Sequence, residues 1–94
     1  MACVVVTRFK VQNFETWKAQ YDRGEPLRRE HHVRAVSVLR EAQDPNAIVV
    51  LTRFDSVDAA KAMLTSDRWK EAARSAAGSP PELQITEVVD DRTY

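Results

Sequence analysis

Two stretches of the sequence are apolar on both sides of an extended chain, and this feature limits the folds open to it. Residues 3–11 (CVVVTRFKV) are β-branched and aromatic and predict a first strand, whose leading half has valines on both faces. Residues 47–54 (AIVVLTRF) give the strongest strand signal and are apolar on both faces, as is typical of a central strand. Both strands therefore need cover on two sides.

Helix signals follow the first strand. Asn13 is a favourable N-cap, and large apolar side chains recur after it at helical spacing, which predicts a helix over residues 13–23. Gly24 and Pro26 interrupt this helix, and residues 27–32 predict a further helical turn before the chain returns to the sheet.

The remaining segments predict a hairpin, a helical region and a last strand. Residues 35–41 predict the second strand, and the turn chemistry of residues 44–46 (DPN) joins it to the third. Ser56 caps the next helical region, and Gly78 stands where a helix would end. Residues 83–89 predict the fourth strand.

The resulting order is strand, helix, strand, strand, helix, strand, which predicts a ferredoxin-like α+β fold with a four-stranded antiparallel sheet. Ninety-four residues suit one domain, so we expect a single domain over residues 1–94. Helices on one face leave the other face bare, although the first and third strands are apolar there. A second sheet from an identical chain is the simplest cover, and it predicts a homodimer.

Composition excludes several classes of function. Fourteen basic and 14 acidic residues give no net charge, so nothing attracts nucleic-acid phosphates at long range. The two glycines, Gly24 and Gly78, cannot form a glycine-rich nucleotide loop. The single cysteine, Cys3, suits a reducing compartment, and the longest apolar run, residues 1–6, is too short to cross a bilayer. We therefore expect a cytoplasmic domain without a nucleic-acid or membrane partner.

Two adjacent histidines are candidate acid–base groups, since histidine is the side-chain type whose ordinary pKa lies nearest neutrality. His31 and His32 point in different directions and are poorly placed to share a metal, and no metal-ligand spacing accompanies them. A solvated helix end is the commoner role, and a general base is the alternative. His32 is the better candidate for that base because it is nearer the second strand.

Three large aromatic side chains fall on the predicted helices. Trp17 and Tyr21 stand four residues apart and share a face, and Trp69 lies in the second helical region. Packing against the sheet is the usual role of such side chains. The alternative is an aromatic wall around a planar substrate, with the Tyr21 hydroxyl as a hydrogen-bond donor or acid. The apolar side chains that would hold the substrate with them are Phe9, Met63 and Leu64.

A basic stretch follows the first helix. Its members are Arg23, Arg28, Arg29 and Arg34. Two interleaved glutamates, Glu25 and Glu30, dilute the charge, so the sequence predicts a solvated face here.

Three local segments carry a family resemblance: residues 44–46 (DPN) before the long apolar strand, residues 54–60 (FDSVDAA) and residues 66–69 (SDRW). With the order of elements, they resemble the dimeric α+β barrel superfamily, and within it the antibiotic biosynthesis monooxygenase-like families. The resemblance implies a dimeric α+β barrel and chemistry without a cofactor. Its members include cofactor-free oxygenases, haem degraders, isomerases, cyclases and proteins without known chemistry. Haem-degrading relatives use a histidine after the helix aromatic, and none follows Trp69 here.

The family resemblance, taken with the aromatic cluster, implies a cofactor-independent monooxygenase or cyclase acting on a small aromatic or polyketide-like substrate. Tyr21 or His32 would remove or return a proton, giving an electron-rich anion that reacts with oxygen or closes a ring. The alternative is a non-catalytic dimeric module that binds a small ligand or scaffolds a partner. A ligand-sized cavity with a polar group, as against a filled core, separates these readings. A lactone-type isomerase would require a carboxylate or histidine beside the pocket.

Overall fold

The structure is a computed structural model that describes residues 1–76 and 80–94. Its elements, in chain order, are β1 (Cys3–Lys10), α1 (Phe14–Asp22), α2 (Glu25–Glu30), β2 (Ala35–Glu41), β3 (Asp44–Phe54), α3 (Val57–Leu64), α4 (Asp67–Ala76) and β4 (Glu82–Glu87). The helix end predicted at Gly78 lies outside the described residues.

The strands form one antiparallel sheet in the order β2-β3-β1-β4. β1 lies between β3 and β4, so that Val5 is opposite Thr52 on one side and Ile85 on the other. β2 and β3 form the predicted hairpin. This arrangement is the ferredoxin-like α+β fold, and the fold prediction is confirmed.

The hairpin turn is not where the sequence analysis expects it. Residues 44–46 belong to β3, pairing extends to Glu41 opposite Asp44, and the turn falls at residues 42–43. The backbone N–H of Val11 donates to the carbonyl oxygen of Asn46 at 2.9 Å. This bond ties the segment to the end of β1, so tertiary pairing overrides the local turn chemistry of residues 44–46.

Side-chain caps begin the two main helical segments. Asn13 accepts a hydrogen bond from the backbone of Thr16 at 2.9 Å, and Ser56 accepts one from Ala59 at 3.1 Å. Pro26 lies in the first turn of α2, where the missing N–H is tolerated, so α2 begins and ends two residues before the predicted range. No helix in the described ranges is long and apolar enough to span a bilayer.

Alternation along the strands gives the sheet two distinct faces. The helices cover one face, where Cys3, Val5, Ile48 and Phe54 are almost completely buried. The other face, called the open face below, carries half-buried or exposed apolar side chains. They are Val4, Val6, Leu39, Val49 and Leu51.

Candidate functional site

A pocket of about 350 Å³ lies between the helices and the sheet. Its floor is formed by Thr7 and Phe9 of β1 and by Val50 and Thr52 of β3, which alternation turns toward the helices. Residues of α1 and α2 line one side, and residues of α3 and α4 line the other. The volume lies in the range typical of small-molecule sites, about 300–1,000 Å³.

Aromatic side chains form one wall of this pocket. Trp17 is buried at 4% exposure, and its ring stacks on Tyr21 with centroids 5.0 Å apart and planes inclined by 27°. The ring of Phe9 lies 5.3 Å from Trp17 in a tilted arrangement. Trp17 also packs against Ile48 and Val50, so it serves both the core and the wall. Packing in the core and forming an aromatic wall, the two roles that the sequence leaves open for Trp17, are therefore compatible.

The Tyr21 hydroxyl is buried and has no hydrogen-bond partner among the residues that the structure describes. Burial raises the pKa of this hydroxyl, and the charges of Glu25 and Asp22 act in the same direction, while Arg28 opposes them. The group therefore stays protonated near neutrality. It is an unused hydrogen-bond donor at the edge of a ligand-sized space.

Arg28 lies against Tyr21, and for this one member of the basic stretch the predicted solvated face is wrong, whereas the other three arginines are exposed. The Arg28 side chain is only 12% exposed, and its guanidinium carbon is 4.0 Å from the centroid of the Tyr21 ring. Nη2 donates to the backbone carbonyl oxygen of Tyr21 at 2.8 Å. The sequence feature that accompanies this contact is Gly24, which lies between α1 and α2. Because Gly24 has no side chain, it leaves room for the Arg28 guanidinium to lie against Tyr21.

The opposite wall comes from α3 and α4. Met63 is buried and Trp69 is half-buried, and both line the pocket. Ala72 and Ala73 line it beside Trp69, so these small side chains leave space next to the indole. Leu64 is not part of the pocket lining within the described chain, and it packs instead against the buried cluster around Cys3.

Of the predicted site residues, the structure brings five to one pocket. These are Phe9, Trp17, Tyr21, Met63 and Trp69. The polar lining residues that the sequence analysis did not single out include Gln20 and Thr52, and nothing in their local sequence distinguishes them. Their place in the pocket follows from the tertiary arrangement.

The two histidines lie at the end of α2, and neither is among the described residues that line the pocket. His32 is exposed, with a left-handed φ of 59°. The hydrogen bond from Arg34 holds the pKa of Asp55 below its usual range, and the nearby charges of His32 and Arg53 contribute in the same direction. The predicted role of His32 as a base stays a prediction, without support from the pocket geometry.

Cys3 is fully buried beside Phe54, at the end of the core away from the wall formed by Trp17. Burial raises the pKa of the Cys3 thiol, which keeps it in the unreactive protonated form. In the described ranges, no group of three or more His, Cys, Asp or Glu side chains is arranged to hold a metal ion.

The fold and the pocket define a small α+β protein with a ligand-sized pocket between its helices and its sheet. The chain belongs to the antibiotic biosynthesis monooxygenase family, whose family model matches residues 2–75. The resemblance inferred from the sequence is thereby confirmed. A search of curated protein sequences gives no match.

Solved structures share the fold at low sequence identity. The chain is similar to SnoaB from Streptomyces nogalater, a cofactor-independent oxygenase, with 17% identity, a TM-score of 0.79 and coverage of 96% of this chain and 95% of SnoaB. A Bordetella bronchiseptica protein carrying the same family name has 16% identity, a TM-score of 0.79 and coverage of 94% and 97%. Rv0793 from Mycobacterium tuberculosis has 13% identity, a TM-score of 0.68 and coverage of 99% and 100%.

Proposed function

We propose that the protein is a cofactor-independent monooxygenase that acts on a small aromatic or polyketide-like substrate in this pocket. The observation that carries the proposal is the buried Tyr21 hydroxyl, which has no hydrogen-bond partner in the described part of the chain and lies beside aromatic walls. A buried polar group without a hydrogen bond costs about 1–3 kcal/mol, and a substrate oxygen that accepts from it would remove this penalty. Family membership and the fold shared with SnoaB support the same activity.

Binding would rest on the apolar walls. A planar substrate placed against the half-buried rings of Phe9 and Trp69 removes its own surface and theirs from water, which contributes about 25 cal/mol per Å² of apolar area. The polar groups at the Tyr21 end then fix its orientation. This division between apolar walls and a few polar groups is typical of small-molecule sites.

The proposed reaction balances without an external reductant. The substrate loses a proton from a CH₂ group activated by an aromatic carbonyl, and the carbanion transfers electrons to O₂. A C–O bond forms to give a hydroperoxide, and loss of water leaves a ketone, so CH₂ and O₂ become C=O and H₂O. The substrate itself supplies the electrons that reduce the second oxygen atom.

Tyr21 suits the return of a proton in this sequence. Because burial raises its pKa, the neutral hydroxyl can donate to the substrate oxygen or to the peroxide oxygen that departs as water. Removal of the first proton by Tyr21 would require the disfavoured phenolate. His32 is the other predicted base, and it would reach the substrate only through solvent because it is exposed and outside the pocket wall.

Oxygen uptake with anthrone tests the proposal, because anthrone and O₂ yield anthraquinone and water. We expect the wild-type protein to accelerate uptake, and Tyr21→Phe to lower the rate by about a hundredfold or more. Tyr94→Phe is the matched control, since it removes the hydroxyl of a fully exposed tyrosine and should keep the full rate. A full rate in Tyr21→Phe would overturn the assignment of Tyr21. Anthrone binding without acceleration would favour the non-catalytic ligand-binding module instead.

We also infer that two copies pair through the open face. Val6 and Leu51 are direct neighbours across β1 and β3 on this face, and Leu39 on β2 is 45% exposed. Covering such a surface with the same surface of a second copy gives a closed twofold dimer. The helices and the pocket lie on the opposite side of the sheet, so pairing leaves the pocket walls within each copy.

A further inference from the structure

The charged side chains that line the pocket have one sign. They are Arg23 and Arg28, and none of the described lining residues is acidic. Arg23 is exposed, whereas the Arg28 side chain is largely buried against the Tyr21 ring. A positive charge beside apolar walls is poorly solvated, and it therefore favours an anionic partner.

The side-chain contacts of Arg28 compensate only part of its positive charge and use only some of its N–H donors. The two hydrogen bonds that its side chain forms with described residues come from Nη2, one to the Tyr21 carbonyl oxygen at 2.8 Å and one to Glu25 at a long 3.4 Å. Glu25 is half exposed, and its other oxygen lies 3.3 Å from Nε of Arg29. One solvated carboxylate is thus shared between two arginines. Nη1 of Arg28 donates to none of the residues that the structure describes.

Other charges around Arg28 do not cancel its field. On α1, Asp22 forms an ion pair with Lys18 at 2.6 Å on the exposed side of the helix. The pocket-lining residues of α4 are uncharged; they are Trp69, Ala72 and Ala73. The end of the pocket next to Tyr21 therefore combines an unused hydroxyl donor with a partly compensated guanidinium.

We propose that the pocket binds its aromatic ligand as an anion, with an ionised phenol or enol oxygen held by Arg28 next to the Tyr21 hydroxyl. A phenolate oxygen accepts more than one hydrogen bond, so it fits a site with both donors. The inference rests on the proposed function only in taking this pocket as the ligand site. It makes Arg28 a specificity-determining residue that selects the ionised form of the ligand.

The probe is 4-nitro-1-naphthol, a bicyclic phenol whose anion absorbs at longer wavelength than its neutral form. We expect the wild-type protein to lower the pKa of the bound dye by about one unit or more, which equals a tenfold preference for the naphtholate. The methyl ether of the same dye cannot ionise, and it should bind at least about tenfold more weakly at a pH where the free dye is ionised. This comparison uses only the wild-type protein, so it does not depend on the folding of a variant.

Variants of single arginines then show which residue causes the pKa shift of the bound dye. We expect Arg28→Gln to return the pKa of the bound dye toward that of the free dye, and Arg28→Lys to restore part of the shift. Arg29→Gln is the matched control: it removes the same charge from a side chain that also contacts Glu25, but that is 79% exposed and outside the pocket lining. It should leave the shift unchanged.

Three results would overturn the inference: no binding of the dye, equal binding of the dye and its ether, or equal effects of Arg28→Gln and Arg29→Gln. The outcome is separable from that of the proposed function. Selective binding of the naphtholate without oxygen uptake on anthrone would support the inference and contradict the proposed oxygenase activity. Oxygen uptake without selective binding of the naphtholate would contradict the inference and leave the proposed oxygenase activity standing.

Discussion

The guanidinium of Arg28 occupies space that the absent side chain of Gly24 leaves open. A Cβ atom at position 24 would lie 2.9 Å from Nη1 of Arg28 and 3.3 Å from the carbonyl oxygen of Tyr21. The φ of Gly24 is −81°, which any residue adopts, so the position requires space and not unusual backbone freedom. The position of the Arg28 guanidinium beside the pocket therefore depends on the space that this glycine leaves.

Gly24→Ala should separate ligand recognition from stability. The added methyl group displaces the flexible end of Arg28, and we expect the pKa shift of bound nitronaphthol to fall toward that of Arg28→Gln. Loss of unfolding free energy should be about 1 kcal/mol or less, because alanine is a poorer N-cap than glycine but the fold is otherwise unchanged. Urea unfolding and dye titration measure the two effects.

The double variant Gly24→Ala/Arg28→Gln provides the control. Since both changes act through the same guanidinium, their effects on the dye should not add. Additive effects, or a wild-type pKa shift in Gly24→Ala, would contradict the dependence of Arg28 on Gly24.

Tyr21→Phe should raise stability by about 1 kcal/mol while it lowers activity. The hydroxyl is buried without a hydrogen-bond partner among residues 1–76 and 80–94, and it regains water when the chain unfolds, so its removal relieves a cost of folding. Urea unfolding of both proteins measures the difference, and Tyr94→Phe, at a fully exposed position, should change it little. A variant less stable than wild type by more than about 1 kcal/mol would mean that the hydroxyl has a partner in solution.

Stability at alkaline pH should depend on Tyr21. Because burial raises its pKa in the folded protein, the unfolded chain releases the phenolic proton at lower pH. This contribution is fully present below the ordinary tyrosine pKa of about 10, and it is lost as pH rises through the folded-state pKa. Unfolding free energies over an alkaline series should therefore decline more steeply for wild type than for Tyr21→Phe. Burial also raises the pKa of Cys3, but that contribution is common to both proteins. Parallel declines would contradict the assignment.

Leu51→Glu should convert a dimer to a monomer without unfolding it. Leu51 lies on the open face of the central strand β3, and a carboxylate there would be buried against a second copy without a partner. Sedimentation equilibrium measures the mass, and circular dichroism checks the fold. Ala62→Glu adds the same charge on an exposed position of α3 and should remain dimeric. A monomeric wild-type protein would contradict the pairing.

The sequence was sufficient for the fold because the relevant signals are local. Alternation in β1 and β3, and the caps at Asn13 and Ser56, each act within a few residues. The local pattern predicts the hairpin turn at residues 44–46, but the bond between Val11 and Asn46 joins segments distant in the chain, and no local pattern reports it.

The same distinction between local patterns and tertiary contacts applies to the residues of the site. Trp17 and Tyr21 share a face by helical spacing, which is a local property. Charge composition predicts a solvated Arg28, but the contacts of this side chain depend on how α2 returns across α1, which composition does not reveal. The exposed position of His32 likewise follows from the end of α2 and not from its residue type.

Alternation in β1 also determines which changes in chain length the protein tolerates. Thr7 and Phe9 form the pocket floor, while their neighbours Arg8 and Lys10 point to the other face. Deletion of a single residue inside this strand would reverse which side chains point to which face. Arginine and lysine side chains would then form the pocket floor, and the present floor residues would lie on the opposite face. The two-residue turn at 42–43 lies beyond both surfaces and can vary in length. Descendants of this sequence are therefore free to lengthen or shorten their hairpin tip, but not the strand that runs beneath the pocket.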